Sequence, residues 1–335
     1  MAETVGEKLD APPAEPKVEL DFLGKARALW TSLPEKGAFL VGVGAWFALF
    51  HFFGNSAKGY VDTGSLFLWL DYCYQTPDDS HGSIVPFLVL GLLVWKGDRV
   101  AQIPKSPAYW ALGLVFLGLA LHYLGYSVQQ TRISFLGFLV GLYGLIGAYL
   151  GSRVMRGVWF PYFLLAFCMP VANYLDFVTV PLRHVAAMLS AGFANTILGI
   201  DVYREGTLVL SPDESFRFDV APACSGIRGL MTLLALTTVY AFVTLQSTWR
   251  RLLMICLAAP LALMGNWARI TTVIVVASSF DQDTAVAIEQ KFGFVTFAVA
   301  LGIVMLVGRI LEEPTTPASV SGEAKETEKD VVSAS

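Results

Sequence analysis

Charge is what this sequence has least of: 23 basic and 27 acidic residues make up 15% of 335, where a soluble domain carries about 25%. That shortage excludes an ordinary soluble enzyme. Cysteine and histidine are scarce as well, at four each. The cysteines, Cys73, Cys168, Cys224 and Cys256, have no spacing that suggests a zinc site or a disulfide framework. Neither a metal nor a cofactor is expected. Internal repeats and heptads are missing too, which excludes solenoids and coiled coils. A net charge of −4 gives no electrostatic footprint for nucleic acid. The whole imbalance sits in the end from Glu312 to Ser335, which carries six acids and two lysines.

What replaces charge is apolar surface, 55% of the chain. Crossing a bilayer takes roughly 20 apolar residues in a helix, and eight candidate spans follow: 37–54, 83–96, 108–126, 133–151, 157–172, 229–247, 252–278 and 292–311. The expected fold is an all-α polytopic membrane protein with about eight transmembrane helices. Its termini are expected to be disordered and cytoplasmic, residues 1–36 and an acidic 312–335, around a transmembrane domain at 37–311. The first of these does not read as a cleavable signal peptide. With the N-terminus inside, Lys25, Arg27, Lys36, Lys96, Arg99, Lys105, Arg153, Arg156, Arg250, Arg251 and Arg309 all fall on the cytoplasmic side. That bias sets the orientation, with both termini in the cytoplasm.

Two segments depart from this pattern. Residues 174–200 are apolar in their second half but contain Asp176, Pro181, Arg183, His184 and Asn195. They are expected to form an amphipathic segment that lies at the outer interface or dips in and returns; the alternative is a span, which would invert everything after it and put Arg250 and Arg251 outside, against the positive-inside trend. Then Thr207–Leu210 and Phe216–Val220 flank the turn sequence Ser211-Pro-Asp-Glu214, which reads as a small extracytoplasmic β-hairpin.

The hairpin runs into Ala221-Pro-Ala-Cys-Ser-Gly-Ile-Arg228, just before an apolar run. A thiol at a helix N-terminus feels the positive end of the backbone dipole, and a nearby arginine adds to it. Both effects favour the nucleophilic thiolate of Cys224. Ser225 and Gly226 are small enough to let a substrate backbone approach, and Arg228 follows. The second feature is Asn266-Trp-Ala-Arg-Ile270, inside another apolar run. An arginine within a membrane helix costs a few kcal/mol on permissive scales. Arg269 lies 16 residues beyond Leu253, about 24 Å up the helix at 1.5 Å per residue, level with the outer end where Cys224 emerges. Asn266, three residues earlier, extends the polar patch. The structural alternatives are a small residue at a helix entry for Cys224 and an arginine snorkelling to the interface for Arg269.

A cysteine beside a guanidinium suggests acyl transfer, the thiolate attacking a carbonyl and the cation stabilising the oxyanion. A base and acid remain to be found, and histidine is the usual choice. His81 and His184 fall on the outer side, whereas His51 and His122 lie in or beside apolar helices.

Taken together, Asp79-Ser-His-Gly-Ser-Ile-Val-Pro86, the 161–170 segment, Leu198-Gly-Ile200, Pro222-Ala-Cys-Ser-Gly-Ile-Arg228 and Asn266-Trp-Ala-Arg-Ile270 resemble the exosortase/archaeosortase family of membrane cysteine transpeptidases. The resemblance covers roughly residues 60 to 311. It implies that Cys224 is the nucleophile and Arg269 its partner. It also implies a histidine or arginine four residues before the glycine that opens the last helix. Here Gly293 is preceded at that distance by Glu289. Glu289 is therefore the first candidate for the base, followed by His81 from the opposite loop, with Lys291 and a weakly active protein as further alternatives. The resemblance also implies membrane lipids and substrate proteins as partners. Such substrates carry a C-terminal motif, a transmembrane helix and a basic cluster, and are cut at the outer face of the cytoplasmic membrane. The competing expectation is a non-catalytic scaffold or transporter linked to exopolysaccharide assembly. A transporter, however, would place paired polar breaks near the midplane, and the polar residues here gather at one face.

Overall fold

The computed structural model describes residues 21–57, 61–171, 174–213, 215–219 and 226–312. These divide into two compact units, one up to Phe67 together with Pro86–Ala166, the other made of Leu68–Val85 and the chain from Phe167 onward. The fold is helical and polytopic. Among the described residues, five stretches are long and apolar enough to cross a membrane: Lys36–Phe53, Tyr109–Ser127, Thr131–Leu150, Thr248–Ser279 and Phe294–Leu311. Ser80–Trp95 and Gly229–Thr244 are shorter apolar helices. The expected span 157–172 takes a different form. Its first part belongs to α8 (Ser152–Phe163), which contains Pro161 and passes into a 3₁₀ turn at Leu164–Cys168. Proline lacks the N–H that would continue the regular bonding ladder.

The first unit contains α1 (Phe22–Thr31), α2 (Lys36–Phe53), α4 from Pro86 onward (Val85–Trp95), α5 (Gly97–Gln102), α6 (Leu112–Ser127), α7 (Thr131–Leu150) and α8. Within the end expected to be disordered, Phe22–Thr31 form α1, while residues 1–20 and 313–335 lie outside the described residues. Asp21 accepts a hydrogen bond from Gly24 N at 2.8 Å, an N-cap that satisfies one of the helix's first amides. Helices α6 and α7 pack closely, because glycines face each other along their seam. A Cβ on Gly118 would lie 2.7 Å from Gly137 O and 2.8 Å from Gly141 Cα. Small residues at such crossings let backbones approach where lipid supplies no hydrophobic drive. Since the obstacle is backbone, Gly118→Ala should destabilise the protein by about 1–3 kcal/mol. A lowered midpoint of thermal unfolding in detergent is the check, and an unchanged midpoint would contradict the packing.

The second unit holds the remaining elements. Helix α3 (Leu66–Tyr74) enters it from Leu68 and leads to a 3₁₀ turn at Ser80–Ser83. Beyond residue 173 come α9 (Asp176–Phe193), a π turn at Ala194–Leu198, strands β1 (Tyr203–Glu205), β2 (Leu208–Leu210) and β3 (Arg217–Asp219), and helices α10 (Gly226–Thr244), α11 (Thr248–Ser279) and α12 (Gln282–Leu311). Helices α10, α11 and α12 pack on one another around Leu233, Leu245, Met254, Leu261 and Val304.

The 174–200 segment becomes α9, which runs alongside α11. Its buried Ala186, Ala187, Ala191 and Ala194 pack with Ile270, Val273, Ile274 and Ala277. Farther back, Thr179 and Arg183 lie against the Ala259–Asn266 stretch. Phe177 and Met188 stay exposed.

The expected two-stranded hairpin is a three-stranded antiparallel sheet in the order β1-β2-β3. Strand β1 pairs with β2 through Tyr203↔Leu210 and Glu205↔Leu208. The added strand depends on Gly206, whose φ of +65° supplies the left-handed conformation of the connecting turn. Buried Val209 and Phe216 join the α9–α11 core, and the Asn195 side chain bonds both N and O of Val202 at 2.8 and 2.9 Å. The sheet is also tied to the start of α12, where Gln282 Oε1 accepts from Arg217 N at 3.3 Å.

Candidate functional site

Helix α11 has 32 residues, about 48 Å of rise. Asn266 and Arg269 lie in its sheet-bearing half. Both line a cavity of about 80 Å³ walled by Gly229 and Leu233 of α10 and by Thr296 and Phe297 of α12. Two lining residues explain the space: a Cβ added at Gly229 or Gly265 would meet nothing within 4 Å. Arg269 is half-buried. The cavity therefore presents a guanidinium and a carboxamide, hydrogen-bond donors suited to an oxygen that gains negative charge.

Cys224 and Ser225 lie outside the described residues, as does the Arg228 side chain. Gly226 is the first residue of α10. Gly229, five positions after Cys224, lines the cavity that holds Arg269. The helix on which the cysteine opens and the helix that carries the arginine thus border one space. Glu289 sits on α12, seven residues or about 10 Å before Thr296. Its side chain falls outside the described residues.

His81 is described in full. Its turn packs against α10, and the ring is buried. Nδ1 lies 3.2 Å from Asp78 O. A carbonyl only accepts, so the bond fixes the proton on Nδ1 and leaves the lone pair on Nε2. That nitrogen is buried and has no hydrogen-bond partner among the described residues. Burial lowers the imidazole's proton affinity below the ordinary histidine value, partly offset by the Asp78 carbonyl and the Asp79 charge. The turn stays ahead of the apolar helix α4. Glycine is required beside the ring, since a Cβ on Gly82 would clash with the Tyr74 ring.

Sequence reasoning missed two features. On the far side of Asn266, a smaller cavity of about 20 Å³ is lined by Thr179 and Arg183 of α9 and Leu230 of α10. An arginine in an otherwise apolar stretch was the available signal. The other feature is a set of bonds around the His81 turn. Asp79 Oδ1 accepts from Val171 N at 3.1 Å, and Tyr74 OH donates to Cys168 O at 2.5 Å. No local pattern announces contacts between residues more than 90 positions apart.

Residues 69–306 match the family model for transmembrane exosortases, Exosortase_EpsH. The match covers more than half of the chain and runs from α3 into α12. No curated protein and no solved structure matches.

Proposed function

The chain belongs to the transmembrane exosortase family, and on that premise we propose that it is a membrane cysteine transpeptidase or protease acting on the C-terminal sorting tails of exported proteins. The observation that carries this reading is the shared cavity, where Arg269 faces the first turns of the helix that Cys224 precedes. In the proposed reaction the Cys224 thiol gives its proton to a base and the thiolate attacks the scissile carbonyl. Arg269 and Asn266 receive the oxyanion. Collapse of that intermediate breaks the C–N bond, and the base returns its proton to the leaving amine. An amine, a lipid head group or water then resolves the thioester.

By this reading the catalytic domain is 37–311, the site faces the outside of the cytoplasmic membrane, and both termini are cytoplasmic. Ser225 and Gly226 keep the approach to the thiol open, and Arg228 adds positive charge at the helix entry. The tail's motif lies level with Cys224, its helix beside the protein's own and its basic cluster at the cytoplasmic side. Incubating the full-length protein in vesicles with a tailed membrane substrate tests the proposal. Release of the tail as a faster-migrating fragment is the expected result. A substrate that stays intact overturns it.

Of the two candidates for the base, His81 is the one the described geometry supports, because its Nε2 lone pair is buried and its turn packs against α10, whereas the Glu289 side chain lies outside the described residues. A base must be unprotonated to act. Since burial lowers the His81 pKa from 6.5, the acid limb of kcat/KM should have its midpoint below 6.5 and activity should rise with pH through it. His81→Gln should cost about 10²- to 10⁴-fold and remove that limb. A limb that survives in His81→Gln and vanishes in Glu289→Gln would assign the base to Glu289.

A further inference from the structure

The bonds that hold the His81 turn involve a residue with no assigned part. Asp79 is only 8% exposed, and its Oδ1 accepts the Val171 amide at 3.1 Å. Its own carbonyl accepts from Gly82 N at 3.0 Å, which closes the turn around the ring. One residue earlier on each side of that bond, Asp78 O fixes Nδ1 of the imidazole. Tyr74 OH, bonded to Cys168 O, ties α3 to the same 168–171 segment, and its ring covers Gly82. The turn is thereby anchored at two points of a segment far away in sequence, and α10 supports its other side.

Anchoring alone does not call for an aspartate. Asparagine would accept from the Val171 amide equally well through its side-chain carbonyl, and burying a carboxylate costs more than burying a neutral amide. The carboxylate's charge also reaches the ring two residues away, where it raises the imidazole's proton affinity against the effect of burial. When imidazole takes a proton it becomes a cation in a buried place, and an adjacent buried anion offsets that cost.

We propose that Asp79 is the positioning residue for His81, clamping its turn to Val171 and compensating the charge that the ring acquires when it accepts a proton. This rests on the reading of His81 as the base. The other ionisable groups gathered here are Asp78 on the same turn, Tyr74 and Cys73 on α3, and Cys168. Burial pushes the Tyr74 phenol's pKa up, so it stays a neutral donor. Cys224 and the Arg228 side chain, near the start of α10 in sequence, lie outside the described residues.

Two variants separate the clamp from the charge. Asp79→Asn keeps the acceptor for Val171 and removes the anion; Asp79→Ala removes both. The full-length protein, isotope-labelled at histidine and reconstituted in nanodiscs, gives the His81 titration and tautomer by NMR without any substrate, with His81→Gln identifying the signal. In Asp79→Asn the titration midpoint moves to lower pH while the ring keeps its Nδ1-protonated form. In Asp79→Ala that tautomer is lost as well, and kcat falls on the order of 100-fold with KM little changed. Identical titration curves in wild type and both variants overturn the proposal. An Asp79→Asn protein that has lost the Nδ1-protonated form overturns the division into clamp and charge. If the NMR shifts occur as stated but His81→Gln still processes substrate at the wild-type rate, the base assignment fails and the Asp79–His81 coupling stands.

Discussion

Replacing Cys224 by alanine should abolish tail release, a loss on the order of 10³-fold or more, with the protein still inserted and folded. The expectation follows from where the residue stands. It precedes α10 by two positions, where the unsatisfied amides and the positive end of the helix dipole stabilise a thiolate. Alanine differs by one sulfur atom, so little packing is disturbed. Two of the other three thiols are poorly placed to substitute. Cys168 is buried, and Cys256 lies ten residues before Asn266 on α11, about 15 Å along the helix. Tail length on a gel, measured in vesicles with equal amounts of each protein, is the assay. In a Cys73→Ser background, a membrane-impermeant thiol reagent added from outside should label the protein, and Cys224→Ala should remove that label. Processing by Cys224→Ala at the wild-type rate would remove the nucleophile from the proposal.

How much of this could be read from the chain depended on the range of the interaction. Low charge and apolar runs dictate a helical membrane protein, because a lipid environment forces each backbone amide to find its partner within its own helix. The polar patch on α11 was equally legible, since a charge among apolar residues stands out at any alignment of neighbours. Short elements were harder. Helix α1 is ten residues, and beside its Asp21 cap it is held by contacts with α5 such as Lys25–Asp98 at 3.6 Å, which no local pattern announces. Strand β1 exists only because Gly206 turns the chain back onto β2. The side-by-side course of α9 and α11 was not legible, because it depends on alanines meeting Ile270 and Ile274, and alanine carries no directional signal in sequence. For the same reason the link from Asp79 to Val171, 92 positions apart, was hidden even though the Asp79-Ser-His motif itself was visible.

Arg269→Ala should lower kcat about 10²- to 10³-fold, the range found for loss of one oxyanion donor, and should leave KM nearly unchanged. An interaction that strengthens only as charge develops on the carbonyl oxygen acts on the transition state and not on the bound substrate. The cavity adds a physical reason. At about 80 Å³ it holds several water-sized groups, so alanine leaves room for water, which must reorient at the moment of reaction where the guanidinium is already fixed. Lysine is the informative comparison. Were Arg269 merely snorkelling to the interface, Arg269→Lys would retain full activity, because a flexible ammonium reaches water at least as well. An oxyanion site loses the rigid fork of parallel N–H donors and keeps only a point charge. Arg269→Lys should therefore recover a small part of the loss, staying at least about tenfold below wild type. Wild-type kcat in Arg269→Lys, together with unaltered alkylation of Cys224, would identify a structural arginine and shift the oxyanion role to Asn266 and the backbone amides that open α10.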